Sequence, residues 1–146
     1  PLKIFGDGRD REDLQQLAGP NIEFLGQISD TQRQDLFAGC RAFIFPGEED
    51  FGITPLEAMA AGRPVVAYGA GGALDTVIDG VTGRFFYEQS AAAVAVAVAQ
   101  ACNDRYDPEV IRRHAEGFSR AVFLTRMREA IEHAIAQRHA TCTQWA

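Results

Sequence analysis

Two glutamates, Glu49 and Glu57, stand on either side of the segment Asp50-Phe51-Gly52-Ile53-Thr54-Pro55-Leu56. A glycine-containing loop that enters a helix exposes unpaired backbone N–H groups and the positive end of the helix dipole, which suit a phosphate. Gly52 lets a ligand approach the backbone closely, because no Cβ intervenes. Other readings of the same residues stay open. Thr54-Pro55-Leu56-Glu57 fits a capping box, with Thr54 at the N-cap, Pro55 at the first helical position and Glu57 two positions later. Phe51 fits a plain core position. The two glutamates also suit the paired carboxylates of a glycoside hydrolase, which need a separation of about 5–9.5 Å. With one in a loop and the other in a helix, spacing along the chain does not fix that distance.

Several familiar chemistries are excluded by what surrounds this segment. Gly6-Asp7-Gly8 and Gly69-Ala70-Gly71-Gly72 each lack the third glycine of a dinucleotide fingerprint, with Arg11 and Leu74 in its place. Neither supports a nicotinamide or flavin cofactor, and tight turns account for both. No Gly-Lys-Ser or Gly-Lys-Thr phosphate loop and no HExxH zinc motif occurs. Cys40, Cys102 and Cys142 are widely separated and odd in number, which argues against a disulfide framework or a zinc site and for a reducing cytoplasm. His114, His133 and His139 lie in arginine-rich helical stretches and read as solvated helix residues.

The elements that must position the glutamates alternate. Leu2–Phe5, Asn21–Leu25, Arg41–Phe45, Pro64–Tyr68 and Gly83–Phe86 read as short strands. Residues 10–18 form a helix with Leu14, Leu17 and Ala18 on one face. A second helix is capped by Ser29 or Asp30 and turns Leu36, Phe37 and Cys40 inward. A third runs from Pro55 to Ala61, and a short one follows Gly69–Gly72. Strands and helices in alternation with glycine-rich connections predict an α/β fold, a Rossmann-like parallel sheet of about five strands with helices on both faces. Beyond residue 90 the chain is helical. Ser90 opens an alanine-rich helix, Asp107-Pro108 starts another, and a last helix from Ser119 carries Val122, Phe123, Met127, Ile131 and Ile135 at helical spacing. The domain is expected over residues 1–138, with 139–146 a frayed tail.

The 146 residues carry 14 basic and 20 acidic side chains, a net charge of −6, and Lys3 is the single lysine. That balance argues against a nucleic-acid or anionic-membrane surface. An anionic ligand must be held by helix ends and a few local arginines. The start, Pro1-Leu2-Lys3, is neither a signal peptide nor an initiator methionine, and the chain reads as a piece of something longer.

Glu49 to Val66, EDFGITPLEAMAAGRPVV, resembles the E-x7-E signature of retaining GT-B glycosyltransferases that use nucleotide sugars, the group 1 or family 4 enzymes. Gly6-Asp7-Gly8, Asn21–Gly26, Gly71-Gly72 and Val81–Phe85 match the same family in the same order, over roughly residues 2–90. A likeness to its mannosyltransferase members is also apparent. Two departures stand out. The family's Gly-Gly-x-x-Glu has Asp75 as its acid here, and the family's arginine–lysine pair on the donor phosphates belongs upstream of Gly6.

The resemblance implies one lobe of a GT-B fold, the C-terminal donor-binding lobe, with the N-terminal acceptor-binding lobe absent and the last helix crossing back toward it. It implies hexosyl transfer from a nucleoside diphosphate, GDP-mannose favoured and a UDP-sugar next, with retention, to a sugar or lipid-linked acceptor in polysaccharide biosynthesis. Glu49 would contact donor-sugar hydroxyls as the catalytic carboxylate, and the amides of Phe51 and Gly52 would help hold that sugar. Ile53 and Thr54 amides would approach the pyrophosphate, and Glu57 would accept from the ribose hydroxyls. Ile28 would pack on the base, while Asp30 would accept from the N1–H and N2–H2 edge of guanine, unless it merely caps its helix. No cofactor beyond the donor sugar nucleotide and no metal is expected, since no DxD motif occurs. The alternatives are a non-catalytic sugar-nucleotide module or partner subunit, and a glycoside hydrolase.

Overall fold

The computed structural model describes residues 1–142, with side chains described through residue 138. It contains β1 (Leu2–Phe5), α1 (Arg11–Leu17), β2 (Ile22–Gly26), α2 (Asp30–Gly39), β3 (Phe43–Phe45), α3 (Ile53–Ala60), β4 (Val65–Tyr68), α4 (Ala73–Thr76), β5 (Gly83–Phe86), α5 (Ala91–Asn103), α6 (Pro108–Glu116) and α7 (Arg120–Cys142). Every strand and helix expected from the sequence is present. The tail expected to fray, 139–146, falls partly on α7 and otherwise outside the described residues.

These elements form two compact units, Pro1–Gly39 and the remainder from Cys40. Within each unit the strands run parallel, and hydrogen bonds join them as two sheets, β1-β2 in the first unit and β3-β4-β5 in the second, rather than the single five-stranded sheet expected. In the first unit Leu2 pairs with Ile22, and a slip after Ile4 sets Phe5 opposite Gly26. Phe37 of α2 is buried and meets Phe5 edge-on at 6.0 Å. The apolar face expected on α1 is not covered within this unit: Leu14 and Leu17 are exposed, and the two-turn helix buries nothing.

The second unit is built on β4. Val65, Val66 and Ala67 are fully buried in succession, so both faces of the strand are covered. One face, with Val66 and Phe86, packs on Ala97 and Ala101 of α5. α3 packs on β3 and β4, and α6 packs on α3. Alanines let α5 lie close to the sheet, and the valines that alternate like a strand at 94, 96 and 98 do not prevent the helix. Ser90 caps it by accepting from the Ala93 amide at 3.2 Å, and Asp107 caps α6 from the Glu109 amide at 2.9 Å.

Arg84 of β5 fixes the far end of α5 to the sheet. Its guanidinium binds Asp104 through two N–H groups at 2.7 and 3.2 Å, while the Tyr106 hydroxyl donates to the same carboxylate at 3.1 Å. The Arg84 hydrogen bond holds the Asp104 carboxyl below its ordinary value, and burial together with that carboxylate pushes the Tyr106 phenol up to about 12. An unfolded tyrosine ionises near pH 10. The phenol's stabilising contribution is therefore complete below pH 10 and is lost as pH rises toward 12. Asp104 has the opposite sign: its contribution stands above the ordinary carboxylate range and is lost in stronger acid. Thermal melts are expected to show the stability gap between the native chain and Tyr106→Phe shrinking from pH 10 to 12. A constant gap would contradict the linkage.

The long helix α7 leaves Phe123, Leu124, Met127, Ile131 and Ile135 between 44% and 56% exposed. Helical spacing places apolar residues on a stripe, but among the described residues nothing covers it. No helix of the described residues is long and apolar enough to cross a membrane.

Candidate functional site

In parallel α/β sheets, ligands bind beyond the carboxyl ends of the strands. At that edge of the second unit, β3 ends at buried Phe45 and the exposed loop 46–51 leads into buried Gly52. Gly52 has φ +76°, a left-handed conformation that turns the chain directly into α3. It is the N-cap of the helix, and no side chain supplies a capping hydrogen bond.

This geometry corrects the capping-box reading. Thr54 is the second residue of α3 rather than its cap, and Glu57 is the fifth, too far along to reach back to the N-cap. The left-handed glycine starts the helix two residues before the Thr-Pro signal. Pro55 still serves the first turn, where its fixed φ fits and its missing N–H costs no helical bond. The amides left without an intrahelical acceptor are those of Gly52, Ile53 and Thr54. Three N–H groups without helical acceptors at the positive end of an eight-residue helix can donate to an anion.

Glu49, Phe51, Gly52, Ile53 and Thr54 thus lie on one loop and helix start, with Glu49 exposed. Glu57 is half-buried, one turn beyond Ile53 on the same stripe of α3. Phe51 is 46% exposed rather than core, and its ring meets Phe118 at 6.2 Å. Ile28 and Asp30 belong to the first unit. There Ser29 is the cap of α2: its hydroxyl accepts from the Gln32 amide at 3.2 Å, and its own amide donates to the Gln32 side chain at 2.9 Å. Asp30 is therefore not the cap. Its carboxylate is 84% exposed and 3.1 Å from Arg33, and Ile28 is half-buried.

The glycines after β4 latch the site loop. The Gly72 amide donates to the Glu49 carbonyl at 2.7 Å. A Cβ on Gly71 would lie 2.4 Å from that carbonyl oxygen, and one on Gly72 would lie 2.4 Å from the Phe51 Cα. The pair Gly71-Gly72, read from sequence as a tight turn, is a close backbone contact. Beneath it, the buried Thr76 hydroxyl donates to the Gly72 carbonyl at 2.9 Å. His114 on α6 donates from Nε2 to the Thr76 carbonyl at 2.8 Å and stands edge-on to Phe118 at 5.4 Å.

His114 is accordingly a half-buried brace and not a solvated helix residue. His114 and Phe118 escaped sequence reasoning, because some forty to seventy residues separate them from their partners and no local pattern marks the pairing. His133 is exposed and pairs with Gln137, whereas the side chain of His139 lies outside the described residues. Asp75 is exposed in the first turn of α4.

The chain belongs to the glycosyl transferases group 1 family, whose model matches residues 1–118. Among its relatives is the alpha-1,3/1,6-mannosyltransferase of Dictyostelium discoideum, 52% identical over 63 residues, which are 42% of this chain and 15% of that protein. The GDP-mannose-dependent alpha-mannosyltransferase of Mycolicibacterium smegmatis is 42% identical over 83 residues, 56% of this chain and 22% of that protein. The phosphatidyl-myo-inositol mannosyltransferase of Mycobacterium leprae is 36% identical over 125 residues, 82% and 33%. The matched stretches thus cover between 15% and 33% of these relatives' length.

The fold is that of a lipopolysaccharide outer core galactosyltransferase, with a TM-score of 0.79 at 22% identity over 91% of this chain and 40% of that one. It is also that of sucrose-phosphate synthase from Thermosynechococcus elongatus, with a TM-score of 0.75 at 27% identity over 93% and 38%.

Proposed function

We propose that the chain is the donor-binding lobe of a retaining glycosyltransferase that moves a hexose from a nucleoside diphosphate to a sugar or lipid-linked acceptor. The observation that carries this reading is the uncapped start of α3, where the Gly52, Ile53 and Thr54 amides have no acceptor within the helix and follow a loop latched by Gly72. Such amides stabilise the charge that develops on a departing diphosphate, and preorganised dipoles do so without reorganising. Glu49 is assigned to the donor sugar's hydroxyls, the Phe51 and Gly52 amides to holding that sugar, and Glu57 to the ribose.

GDP-mannose is the favoured donor, with a UDP-sugar next. Three of the relatives named above are mannosyltransferases, and one is named for GDP-mannose. Asp30, free of the capping role, offers a carboxylate to the two donors on guanine's N1–N2 edge, and Ile28 offers an apolar face for the ring. The exposed stripe on α7 supports a second lobe as partner, since a helix of this kind buries its apolar side in the assembled protein.

Calorimetric titration of the 146-residue chain with GDP, UDP and ADP tests the reading. GDP is expected to bind best, and sugar transfer is expected to be absent without an acceptor lobe. A charge-assisted hydrogen bond is worth about 1.5–3 kcal/mol, so Glu57→Ala is expected to weaken GDP binding by roughly 10- to 100-fold. Asp30→Ala is expected to erode the preference for GDP over UDP. Unchanged affinity in a folded Glu57→Ala variant would return that residue to a purely helical role, and transfer by the chain alone would overturn the lobe reading.

A further inference from the structure

We propose that His114 is a positioning residue for the nucleotide-sugar donor, holding the 49–52 loop through Thr76 and Gly72, an inference that rests on the donor-lobe reading above. Its imidazole Nε2 lies 2.8 Å from the Thr76 carbonyl oxygen. A carbonyl only accepts, so Nε2 carries the hydrogen. The carbonyl is open to it because α4 stops there. Val77 leaves the helical conformation at φ −103° and ψ 137°. The Gly80 amide, which a longer helix would direct at Thr76, bonds instead to the Gly83 carbonyl at 2.8 Å. An imidazole from another helix supplies the donor that α4 lacks.

From Thr76 the hydrogen bonds continue to the site. Thr76 is fully buried, and its hydroxyl donates to the Gly72 carbonyl at 2.9 Å. The Gly72 amide in turn donates to the Glu49 carbonyl at 2.7 Å. A series of three hydrogen bonds therefore runs from α6 to the residue assigned to the donor sugar. Phe118 adds a second route, with its ring 5.4 Å from the His114 ring and 6.2 Å from that of Phe51. Both routes end on the same loop, one at Glu49 and the other at Phe51.

α6 is itself anchored, which lets it hold something else. Ile111 and Ala115 are buried, and the helix packs on α3. Just past the end of α3, a Cβ on Gly62 would lie 3.1 Å from the Pro108 Cβ, the Pro108 carbonyl oxygen and an Arg112 terminal nitrogen. The start of α6 is thus pressed against the chain leaving α3. The turn after α6 reaches Phe51, just before α3 begins. One helix thereby fixes the loop relative to the helix that the loop opens.

His133 shows the contrast, since it bonds to Gln137 on its own helix and joins no other element. Losing the Nε2 hydrogen of His114 frees the Thr76 carbonyl and loosens the Gly72 turn, and the Glu49 carbonyl moves with it. The cost falls on donor affinity, because the amides that follow the loop lose their preset position. A glutamine at 114 carries an N–H about as far along the side chain as Nε2 and can donate to Thr76. A phenylalanine keeps the ring against Phe118 but has nothing to donate.

The test measures affinity for GDP, or for UDP where that binds tighter, by calorimetry on the 146-residue chain. Its variants are His114→Phe, His114→Gln, Thr76→Val and the double variant His114→Phe with Thr76→Val, with thermal melts as the folding control. His114→Phe is expected to weaken binding roughly ten-fold, and His114→Gln to recover most of that loss. Thr76→Val is expected to cost a similar factor. The double variant is expected to bind no worse than the weaker single one, because both substitutions break one path. Tyr106→Phe, outside this path, is expected to melt lower and keep native affinity. On the native chain, saturating nucleotide is expected to shift the imidazole nitrogen resonances of His114 and leave those of His133 in place. Native affinity in a folded His114→Phe variant, equal losses in His114→Phe and His114→Gln, or multiplied losses in the double variant overturn this assignment alone. A His114 signal indifferent to nucleotide does the same, and needs no variant to fold. Absence of binding by GDP, UDP and ADP alike overturns the donor reading and this inference together.

Discussion

Gly72→Ala is expected to weaken nucleoside-diphosphate binding by at least ten-fold while the chain stays folded. The added methyl would lie 2.4 Å from the Phe51 Cα, 2.5 Å from the Asp50 oxygen and 2.6 Å from the Phe51 oxygen. All three are backbone atoms, so no flexible side chain can move aside. The collision is relieved only by lifting the 49–52 loop off the turn after β4, which stretches the bond from the Gly72 amide to the Glu49 carbonyl. That loop carries the Phe51 and Gly52 amides and sets the start of α3. A displacement of about 1 Å at such a site costs on the order of a hundred-fold in a positioned reaction.

The stability cost should be smaller, about 1–3 kcal/mol for overpacking at this buried contact. Titration with GDP beside a denaturant melt separates the two effects. Native affinity in Gly72→Ala would show that the latch does not govern the amides.

Gly83→Ala is expected to cost the most stability of any single methyl added to this chain, more than about 3 kcal/mol out of a total of roughly 5–15. A Cβ at Gly83 would stand 1.9 Å from the Val65 carbonyl oxygen, 2.9 Å from its carbon and 3.0 Å from its nitrogen. Val65 is fully buried at the start of the central strand, where it is the register partner of Gly83 and donates to Thr82 at 3.0 Å. Neither strand can retreat. β4 is packed on both faces, and β5 is held from one side by the Gly80 amide on the Gly83 carbonyl and from the other by Arg84 on Asp104.

Parting the strands breaks the ladder and opens the core around Val66 and Phe86. Gly39→Ala is the control: nothing lies within 4 Å of its Cβ position, and its stability is expected to stay within about 1 kcal/mol of native. Urea melts of the two variants decide the matter. A Gly83→Ala midpoint close to that of Gly39→Ala would mean that the ladder is looser than its geometry.

The order of strands and helices was legible because each element is locally consistent. Val65-Val66-Ala67 is a short apolar run bounded by Pro64 and Gly69, and Ser90 and Asp107-Pro108 are capping signals that act within one turn. The helix start at the site was misread for a local reason. Thr54-Pro55-Leu56-Glu57 carries the residue types of a capping box, but a glycine's choice of positive φ is not written in its neighbours, and Gly52 made that choice two residues earlier.

Apolar spacing was likewise a poor guide to burial. Leu17 on α1 and Ile131 on α7 sit on apolar faces, yet both are exposed, because spacing shows which side a helix would bury and not whether a partner is there.

By itself the sequence determined the parallel α/β alternation, the glutamate-flanked glycine loop before a helix, and a charge balance that leaves anion binding to helix ends and a few arginines. Those properties depend on residues close together in the chain. Only the tertiary structure decided which glycines are indispensable and that His114 and Phe118 brace the site. Each of these is a contact between segments brought together by packing, where distances of 2 to 4 Å decide the outcome, and spacing along the chain carries no record of such distances.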